Sequence, residues 1–325
     1  MTECLKYPWQ QQQWQHLLAR KAADNLPHAL LLSGQTGLGK NDFAQALAKL
    51  LLCEQSESKA CDHCRGCKLI QANNHPDLFL LQPEEKSKVI KIEQIRAVIK
   101  SINQKSHQGG YQVVIISPAD SMNISAGNAL LKILEEPPGK VVMMLVTNKP
   151  LALTATIRSR CQKINFYPPS QQEGLVWLQQ QDINSNNPEL LLSLAENAPL
   201  KALTLADKNN LEQRDELFKN FMELIENKID PLTFAKSCMT MDLTIILPYL
   251  QNWLADILRC KLQITNKFMV NTDKIAILQN TTPQIPTTKL LQLLEQITSV
   301  QKNLTNNLNA QLVLESLAME INNAS

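Results

Sequence analysis

The stretch ALLLSGQTGLGKN, residues 29–41, decides how the first half of this chain folds. Its first four residues predict a buried strand, a glycine-rich loop follows, and apolar residues then recur at the spacing of one helix face. This order is typical of a phosphate-binding loop, in which glycines turn backbone N–H groups inward and a lysine stands at the positive end of the helix. The residues predicted to surround the phosphates are Gly34, Gly37, Gly39, Lys40 and Asn41.

This loop and the third predicted strand depart from the pattern of a nucleotide hydrolase. The residue after the lysine is ordinarily Ser or Thr, whose hydroxyl binds magnesium, and here it is Asn41. After the strand at residues 113–116, where a hydrolase carries an acidic pair, this chain has Ser117 and Pro118. Asp120 lies beyond the ordinary position, and we expect it to cap or orient the next segment. The two departures predict that the chain hydrolyses no nucleotide by itself.

Short β-rich segments alternate with helical patterns through the first half of the chain. The predicted strands cover residues 29–32, 77–81, 113–116, 141–146 and 162–166. Continuous apolar strands separated by helices predict a parallel sheet that is covered on both faces. Beyond residue 167 leucine-rich helical periodicity dominates. We therefore predict an α/β domain at residues 1–167, a small helical domain at 168–208 and an all-α domain at 209–325.

Length and composition set broad limits. A chain of 325 residues is too long for one compact core, and its net charge of +2 neither requires nor excludes a nucleic-acid partner. No window carries the roughly 18 uninterrupted apolar residues that a membrane span needs, and the N-terminus lacks a basic-then-apolar signal. We therefore expect a cytoplasmic protein, in which a tight cysteine cluster serves a metal or catalysis rather than disulfides.

Half of the 8 cysteines are clustered in one short segment. The pattern C-x7-C-x2-C-x2-C is formed by Cys53, Cys61, Cys64 and Cys67. Four thiolates satisfy the tetrahedral shell of zinc, whereas clustered free thiols and an iron–sulfur cluster are the alternatives. We expect His63, which lies inside the cluster, to be solvated because four cysteines already fill the shell. Such a closed site is structural, and it predicts a zinc-binding insert at about residues 53–67.

Two further motifs follow in the second part of the α/β region. In NALLKILEEPP, residues 128–138, we expect Glu135 and Glu136 to close a helix that the two prolines then stop. In RSRC, residues 158–161, Arg158 and Arg160 stand directly before the last predicted strand. An arginine in such a position is ordinarily a solvated charge, and only its context favours a functional role.

Taken in order, GQTGLGK, the four-cysteine insert, NALLKILEEPP and RSRC resemble the bacterial DNA polymerase III clamp-loader subunits of the AAA+ superfamily. The similarity spans residues 7–168 and continues weakly through the helical half. Members that hydrolyse ATP keep Lys-Ser or Lys-Thr in the loop, Asp-Glu after the third strand and an arginine in the small helical domain. This chain has none of these, so the resemblance implies a subunit that sits beside an ATPase subunit without turning over ATP.

The resemblance also implies a role for RSRC. Arg160 would act in trans as an arginine finger on a neighbour's nucleotide, with Ser159 and Cys161 setting its position and Arg158 as the local competitor. Residues 168–208 would form a lid and residues 209–325 part of a helical collar. The implied partners are ATPase subunits and a delta subunit in a five-subunit ring, together with the sliding clamp and primed DNA, as part of a DNA-directed DNA polymerase holoenzyme.

Two rival functions remain open from the residues alone. The first is an active P-loop ATPase that uses Lys40 with unusual magnesium ligands. The second is a zinc-dependent nucleic-acid-binding module, which the scarcity of aromatic residues and arginines around the cysteines disfavours. Binding of ATP without hydrolysis is also open, because the glycines and Lys40 survive and an asparagine oxygen is a poor magnesium ligand.

Overall fold

The computed structural model of the chain describes residues 5–55, 58–84, 87–104, 106, 110–181, 187–265, 268–281, 285–304 and 309–323. The chain divides into two compact units, Met1–Glu173 and Gly174–Ser325. None of the helices in these described stretches is long and apolar enough to cross a lipid bilayer.

In the first unit helices alternate with strands. The elements are α1 (Gln11–Ala22), β1 (Ala29–Ser33), α2 (Lys40–Leu51), α3 (Arg65–Gln71), β2 (Leu78–Leu81), α4 (Ile92–Ile102), β3 (Gln112–Ile116), α5 (Ile124–Glu135), β4 (Val141–Thr147), α6 (Ala155–Arg160) and β5 (Gln162–Asn165). Each strand differs from its predicted bounds by a single residue at one end.

The described strands form one parallel sheet in the order β2-β3-β4-β1-β5. The central strands β1, β3 and β4 are buried along their whole length, as their unbroken apolar runs require, and the predicted parallel sheet is confirmed. Because the strands are parallel, each edge of the sheet collects the same chain end of every strand. We call the edge at which the strands begin, at Ala29 of β1 and Gln162 of β5, the amino edge. The edge at which they end, at Ser33 and Asn165, is the carboxyl edge.

The predicted phosphate-binding loop, residues 34–41, is called the phosphate loop from here on. The helix α2 that it enters packs against the sheet. Phe43 of α2 is fully buried, and its ring meets Trp14 edge-on at 5.5 Å and Phe166 edge-on at 5.0 Å. Trp14 is 1% exposed and serves as a packing anchor. This aromatic group attaches α1 and the end of β5 to the helix that follows the loop.

The second unit is helical throughout its described residues. Its elements are α7 (Gln171–Gln179), which begins in the first unit, α8 (Pro188–Leu194), α9 (Pro199–Leu205), α10 (Lys208–Ile225), α11 (Pro231–Cys238), α12 (Leu243–Lys261), α13 (Ile275–Thr281), α14 (Thr287–Asn303) and α15 (Ala310–Asn322). The leucine-rich periodicity predicts most of these helices. It does not reveal α11 and α13, which are only 8 and 7 residues long.

Trp253 of α12 lies at the centre of the second unit. Its ring is fully buried and contacts the rings of Phe218, Phe221 and Tyr249 at centroid distances of 5.1, 5.3 and 6.0 Å. Its indole Nε1 donates a hydrogen bond to Asn271, which is also fully buried. The aromatic core therefore ends in a polar contact, as buried tryptophan usually requires.

Candidate functional site

The phosphate loop leaves β1 at the carboxyl edge and turns into α2. Gly34 passes the backbone of Phe166 so closely that a Cβ would lie 2.4 Å from its carbonyl oxygen. Gly39, directly before α2, has a φ of +76°, and a Cβ there would lie 2.3 Å from the Tyr7 ring. Both positions therefore require glycine, for space in the first case and for space and backbone conformation in the second.

Lys40 is the first residue of α2 and is only 5% exposed. Its Nζ donates a hydrogen bond of 2.7 Å to the carbonyl oxygen of Gln35, so the side chain folds back across its own loop. Burial lowers the pKa of Lys40 to about 8, against a smaller opposing effect of the Asp120 carboxylate. A phosphate bound here would stabilise the charged form of the lysine.

Asn41 and Ser117 meet beside the loop. The Ser117 hydroxyl donates a hydrogen bond of 2.6 Å to Oδ1 of Asn41, the oxygen that would be the magnesium ligand. Asp120 is also engaged, because Thr147 at the end of β4 donates to its Oδ1 at 2.5 Å. We expect Asp120 to cap or orient the next segment; the capping part is wrong, since Asn123 is the residue that caps α5. Asp120 instead links the short segment after β3 to the end of β4.

An N-terminal segment, Tyr7 to Gln10, covers the loop from outside. Trp9 Nε1 and Gln10 Nε2 donate to the carbonyl oxygen of Leu38 at 3.1 and 2.8 Å. Tyr7 stacks on Trp9 and donates its hydroxyl to Asp42, and burial together with this carboxylate raises the pKa of Tyr7 to about 12. These contacts fasten the N-terminal segment to the loop and to the first turn of α2.

The four sulfur atoms of the cysteine insert lie close together. The four Sγ atoms, all within 4.8 Å of one another, belong to Cys53, Cys61, Cys64 and Cys67. Zinc with Zn–S bonds of about 2.3 Å would need sulfurs about 3.8 Å apart, so the set fits a tetrahedral ion closely. The backbone N–H groups of Cys61, Cys64 and Cys67 each donate to the sulfur of the preceding cysteine at 3.3, 3.3 and 3.4 Å. The four cysteines can therefore hold a metal ion.

His63 is exposed and stands apart from this sulfur cluster. Its Nδ1 lies 2.6 Å from the carbonyl oxygen of Cys61, which turns the ring away from the sulfurs. The prediction that His63 is solvated is confirmed.

Arg160 is the last residue of α6 and is half-buried at the surface of the first unit. Its Nε and Nη2 lie 2.8 and 2.5 Å from Oε1 of Glu135, the last residue of α5. Its Nη1 donates to the carbonyl oxygen of Thr156 at 3.0 Å. The guanidinium is thus held by two groups of its own chain.

The neighbours of Arg160 differ in their surroundings. Ser159 is exposed and donates its hydroxyl to the Thr156 carbonyl at 3.0 Å, the same oxygen that Arg160 uses. Cys161 is buried in the core, and burial raises the pKa of its thiol to about 11. Among the described residues, none accepts a hydrogen bond from the buried Nε of Arg158. Arg160 therefore has a guanidinium that is held by its own chain and is partly solvated.

Arg160 and the phosphate loop lie at opposite edges of the sheet. β5 runs parallel to β1, with Gln162 opposite Leu30 and Asn165 opposite Ser33. Arg160 precedes this paired stretch at the amino edge, and Gly34 follows it at the carboxyl edge. Four paired residues, at about 3.3 Å each, put about 13 Å of strand between the two edges.

Two residues complete the site without any local signal in the sequence. Gln10, 1% exposed, binds the carbonyl oxygens of Leu38 and Gly39, which lie 28 and 29 positions away. Glu135 binds Arg160 across 25 positions. The sequence contains a glutamine next to a tryptophan and a glutamate at a predicted helix end, and both are weak signals. Neither pattern indicates which residue the side chain will contact.

Two family models match the chain. The model described as DNA polymerase III, delta subunit, matches residues 9–170, which carry the sheet, the loop, the cysteines and Arg160. The model described as DNA polymerase III, delta subunit, C terminal, matches residues 208–323, which carry α10 to α15.

Individual relatives and one solved structure agree with the family models. The chain is 33% identical over 319 residues to DNA polymerase III subunit delta' of Pseudomonas aeruginosa, over 97% of this chain and 96% of that relative. It is 37% identical over 213 residues to the protein of the same name from Escherichia coli K12, over 65% of this chain and 64% of that relative. A DNA polymerase III gamma subunit-related protein from Thermotoga maritima shares the fold, with a TM-score of 0.51 at 17% identity over 96% of this chain and 99% of that structure. This chain therefore belongs to the DNA polymerase III subunit delta' family.

Proposed function

We propose that this chain is a clamp-loader subunit that hydrolyses no ATP itself and supplies Arg160 to the nucleotide site of a neighbouring ATPase subunit. The observation that carries the proposal is the position of Arg160. It lies at the amino edge of the sheet, about 13 Å of strand away from its own phosphate loop, and its guanidinium is ordered and partly solvated. Such an arginine is suited to a site outside its own chain.

The chemistry of this residue is electrostatic. A planar guanidinium can bind two phosphate oxygens at once and stabilise the charge that develops as the γ-phosphoryl group is transferred. In related systems an arginine finger is worth a factor of about 10³ to 10⁵ in rate. Ser159 and Cys161 would set its position, the first through the shared Thr156 carbonyl and the second as a buried anchor.

The chain's own loop is suited to phosphate binding without hydrolysis. Gly34, Gly37, Gly39 and Lys40 keep the shape of a phosphate site. The ligands that magnesium would need are committed elsewhere, because Asn41 accepts from Ser117 and Asp120 accepts from Thr147. Both contacts support a subunit that depends on a neighbour for turnover.

The remaining parts of the proposal concern the architecture. Zinc bound by Cys53, Cys61, Cys64 and Cys67 would stabilise the insert and has no open position for chemistry. Residues 168–208 would act as the lid and residues 209–325 as the collar of a five-subunit ring in the cytoplasm. In that ring the partners would be ATPase subunits and a delta subunit, and the ring would load the sliding clamp on primed DNA for the polymerase.

The test is the DNA-stimulated ATPase rate of the complete complex assembled with Arg160→Ala. We expect the turnover at the adjoining site to fall by about 10³ or more, with zinc content and assembly unchanged. Lys163→Ala, which removes an exposed cation of β5, is the matched control and should leave the rate as it is. An unchanged rate in Arg160→Ala would remove the proposed role, and a loss confined to Arg158→Ala would transfer it to that arginine.

A further inference from the structure

Glu135 forms a salt bridge with one side of the Arg160 guanidinium. Oε1 of Glu135 lies 2.8 Å from Nε and 2.5 Å from Nη2, which are neighbouring nitrogens on the side edge of the planar group. The carbonyl oxygen of Thr156 accepts one N–H of Nη1 at 3.0 Å. A guanidinium has five N–H donors in a fixed fork, so these contacts use only part of them.

The Glu135 contact lies on the Nε–Nη2 side of the guanidinium, away from the outer edge between Nη1 and Nη2. Nη1 and Nη2 each keep one N–H for which the described residues provide no acceptor. Two terminal nitrogens that both keep a donor can bind oxygens of one phosphate. Glu135 therefore orients the arginine without occupying the edge that a phosphate would use.

Glu135 and Arg160 each end a helix that is packed into the core of the first unit. Glu135 ends α5, whose preceding residues Ile133 and Leu134 are buried, and Arg160 ends α6, whose Ile157 is buried. The two helices pack closely at Gly127, where a Cβ would lie 3.2 Å from Cδ1 of Ile157. An ion pair between two fixed helix ends restricts a long side chain that would otherwise sample many rotamers.

We propose that Glu135 is a positioning residue for Arg160: its carboxylate preorganises the guanidinium for a phosphate of the neighbouring subunit. The inference rests on the proposed function of Arg160. Without Glu135 the arginine would have to be ordered during each turnover, which lowers the rate but leaves the affinity of the neighbouring site for ATP unchanged.

The test compares Glu135→Ala, Glu135→Gln and Glu136→Ala in the complete clamp-loader complex. Glu136 is the exposed neighbouring glutamate, so Glu136→Ala removes the same charge from the same helix end and should leave kcat unchanged. We expect Glu135→Ala to lower the DNA-stimulated kcat about threefold to tenfold with KM for ATP unchanged, the range for freeing one long side chain. Glu135→Gln keeps an oxygen acceptor and should recover most of the loss.

A double-mutant comparison separates positioning from a structural effect. In the Arg160→Ala background the change Glu135→Ala should have no further effect, because the residue it orients is gone. A further loss there would make Glu135 a structural residue and overturn the proposal. If Glu135→Ala has a normal or faster rate while Arg160→Ala is slow, the positioning role alone is overturned. If Arg160→Ala itself has a normal rate, the arginine finger and the positioning role are both overturned.

Discussion

Lys40 and Arg160 have opposite surroundings, although both are cations that a phosphate could bind. Lys40 is 5% exposed and its pKa is lowered to about 8, because burial penalises its charge. Arg160 is partly solvated and is paired with a carboxylate. A buried lysine pays a folding cost for its charge, and only a bound anion would offset it.

The first prediction concerns the stability cost of this buried charge. The unfolded chain holds the Lys40 proton up to its ordinary pKa of 10.5, whereas the folded chain releases it near 8. The folded state therefore binds fewer protons between these pH values, and stability rises with pH across that window. Relative to Lys40→Met, the wild-type free energy of unfolding should increase by about 2 to 3 kcal/mol between pH 7 and pH 10.

Urea unfolding of both proteins at the two pH values measures this difference. The control is Lys163→Met, at an exposed position of β5, which keeps Lys40. Relative to this variant, the wild-type free energy of unfolding should show no such increase. If wild type and Lys40→Met change in parallel with pH, the lysine is not destabilised by burial in the folded chain.

Hydrogen bonds to buried or half-buried side chains order two elements of the chain. One is the cysteine insert between α2 and β2, where backbone N–H groups turn toward sulfur. The other is the segment between α12 and α13, where Asn271 binds Asp256, Trp253 and Arg214. In both cases a short stretch of chain is ordered by groups that come from separate positions in the sequence.

For the cysteine insert we predict that Cys64→Ser lowers the bound zinc. Cys64 is buried, and its sulfur also caps α3 by accepting from the N–H of Cys67 at 3.4 Å. Because zinc binding to such sites contributes about 10 to 16 kcal/mol to folding of the site, the insert should become sensitive to proteases and exchange its amide protons faster.

Metal content of the purified proteins, with amide exchange over residues 53–71, is the measurement. The control is Cys260→Ser, which changes a half-buried cysteine of the second unit and should retain the metal. Equal zinc in wild type and Cys64→Ser, or iron in place of zinc, would be evidence against a structural zinc site.

In the second unit we predict that Asn271→Ala destabilises the chain by about 3 kcal/mol. Asn271 is fully buried, donates its backbone N–H and side-chain Nδ2 to Asp256 at 2.8 Å, and accepts from Arg214 and Trp253. The substitution removes the acceptor of the buried Trp253 Nε1 and one hydrogen bond each of Arg214 and Asp256. The salt bridge of Arg214 with Asp273 remains; hydrogen bonds from Arg214 hold the pKa of Asp273 below its usual value although burial opposes this.

Thermal or urea unfolding of the full chain tests the loss. Asn323→Ala, at an exposed position after α15, is the matched control and should change stability by less than about 0.5 kcal/mol. A similar small effect in both variants would mean that water satisfies the buried groups when Asn271 is removed.

At the scale of the whole first unit, the sheet separates two candidate sites. The carboxyl edge carries a phosphate loop whose magnesium ligands are engaged within the chain, and the amino edge carries Arg160. A protein built in this way should depend on a partner for ATP turnover.

We therefore predict that the purified chain, alone, turns over ATP no faster than its Lys40→Ala variant. The reason is that Asn41 and Ser117 satisfy each other and that no acidic pair follows β3 to activate water. Phosphate release measures the rate, and equilibrium binding of a fluorescent ATP analogue measures whether the loop still holds a nucleotide. Steady turnover that Lys40→Ala abolishes would favour the rival function, an active ATPase with unusual magnesium ligands.

The sequence by itself determined the parallel sheet, the phosphate loop, most of the helices and the four-cysteine cluster. These features depend on residues that are close along the chain: unbroken apolar runs, glycines around one lysine, and cysteines within one short segment. Only the tertiary structure decided that Glu135 holds Arg160, that Gln10 holds the phosphate loop and that Asn271 links three buried groups. Each of these contacts joins separate elements, and no local spacing specifies such a partner because its position depends on how the elements pack.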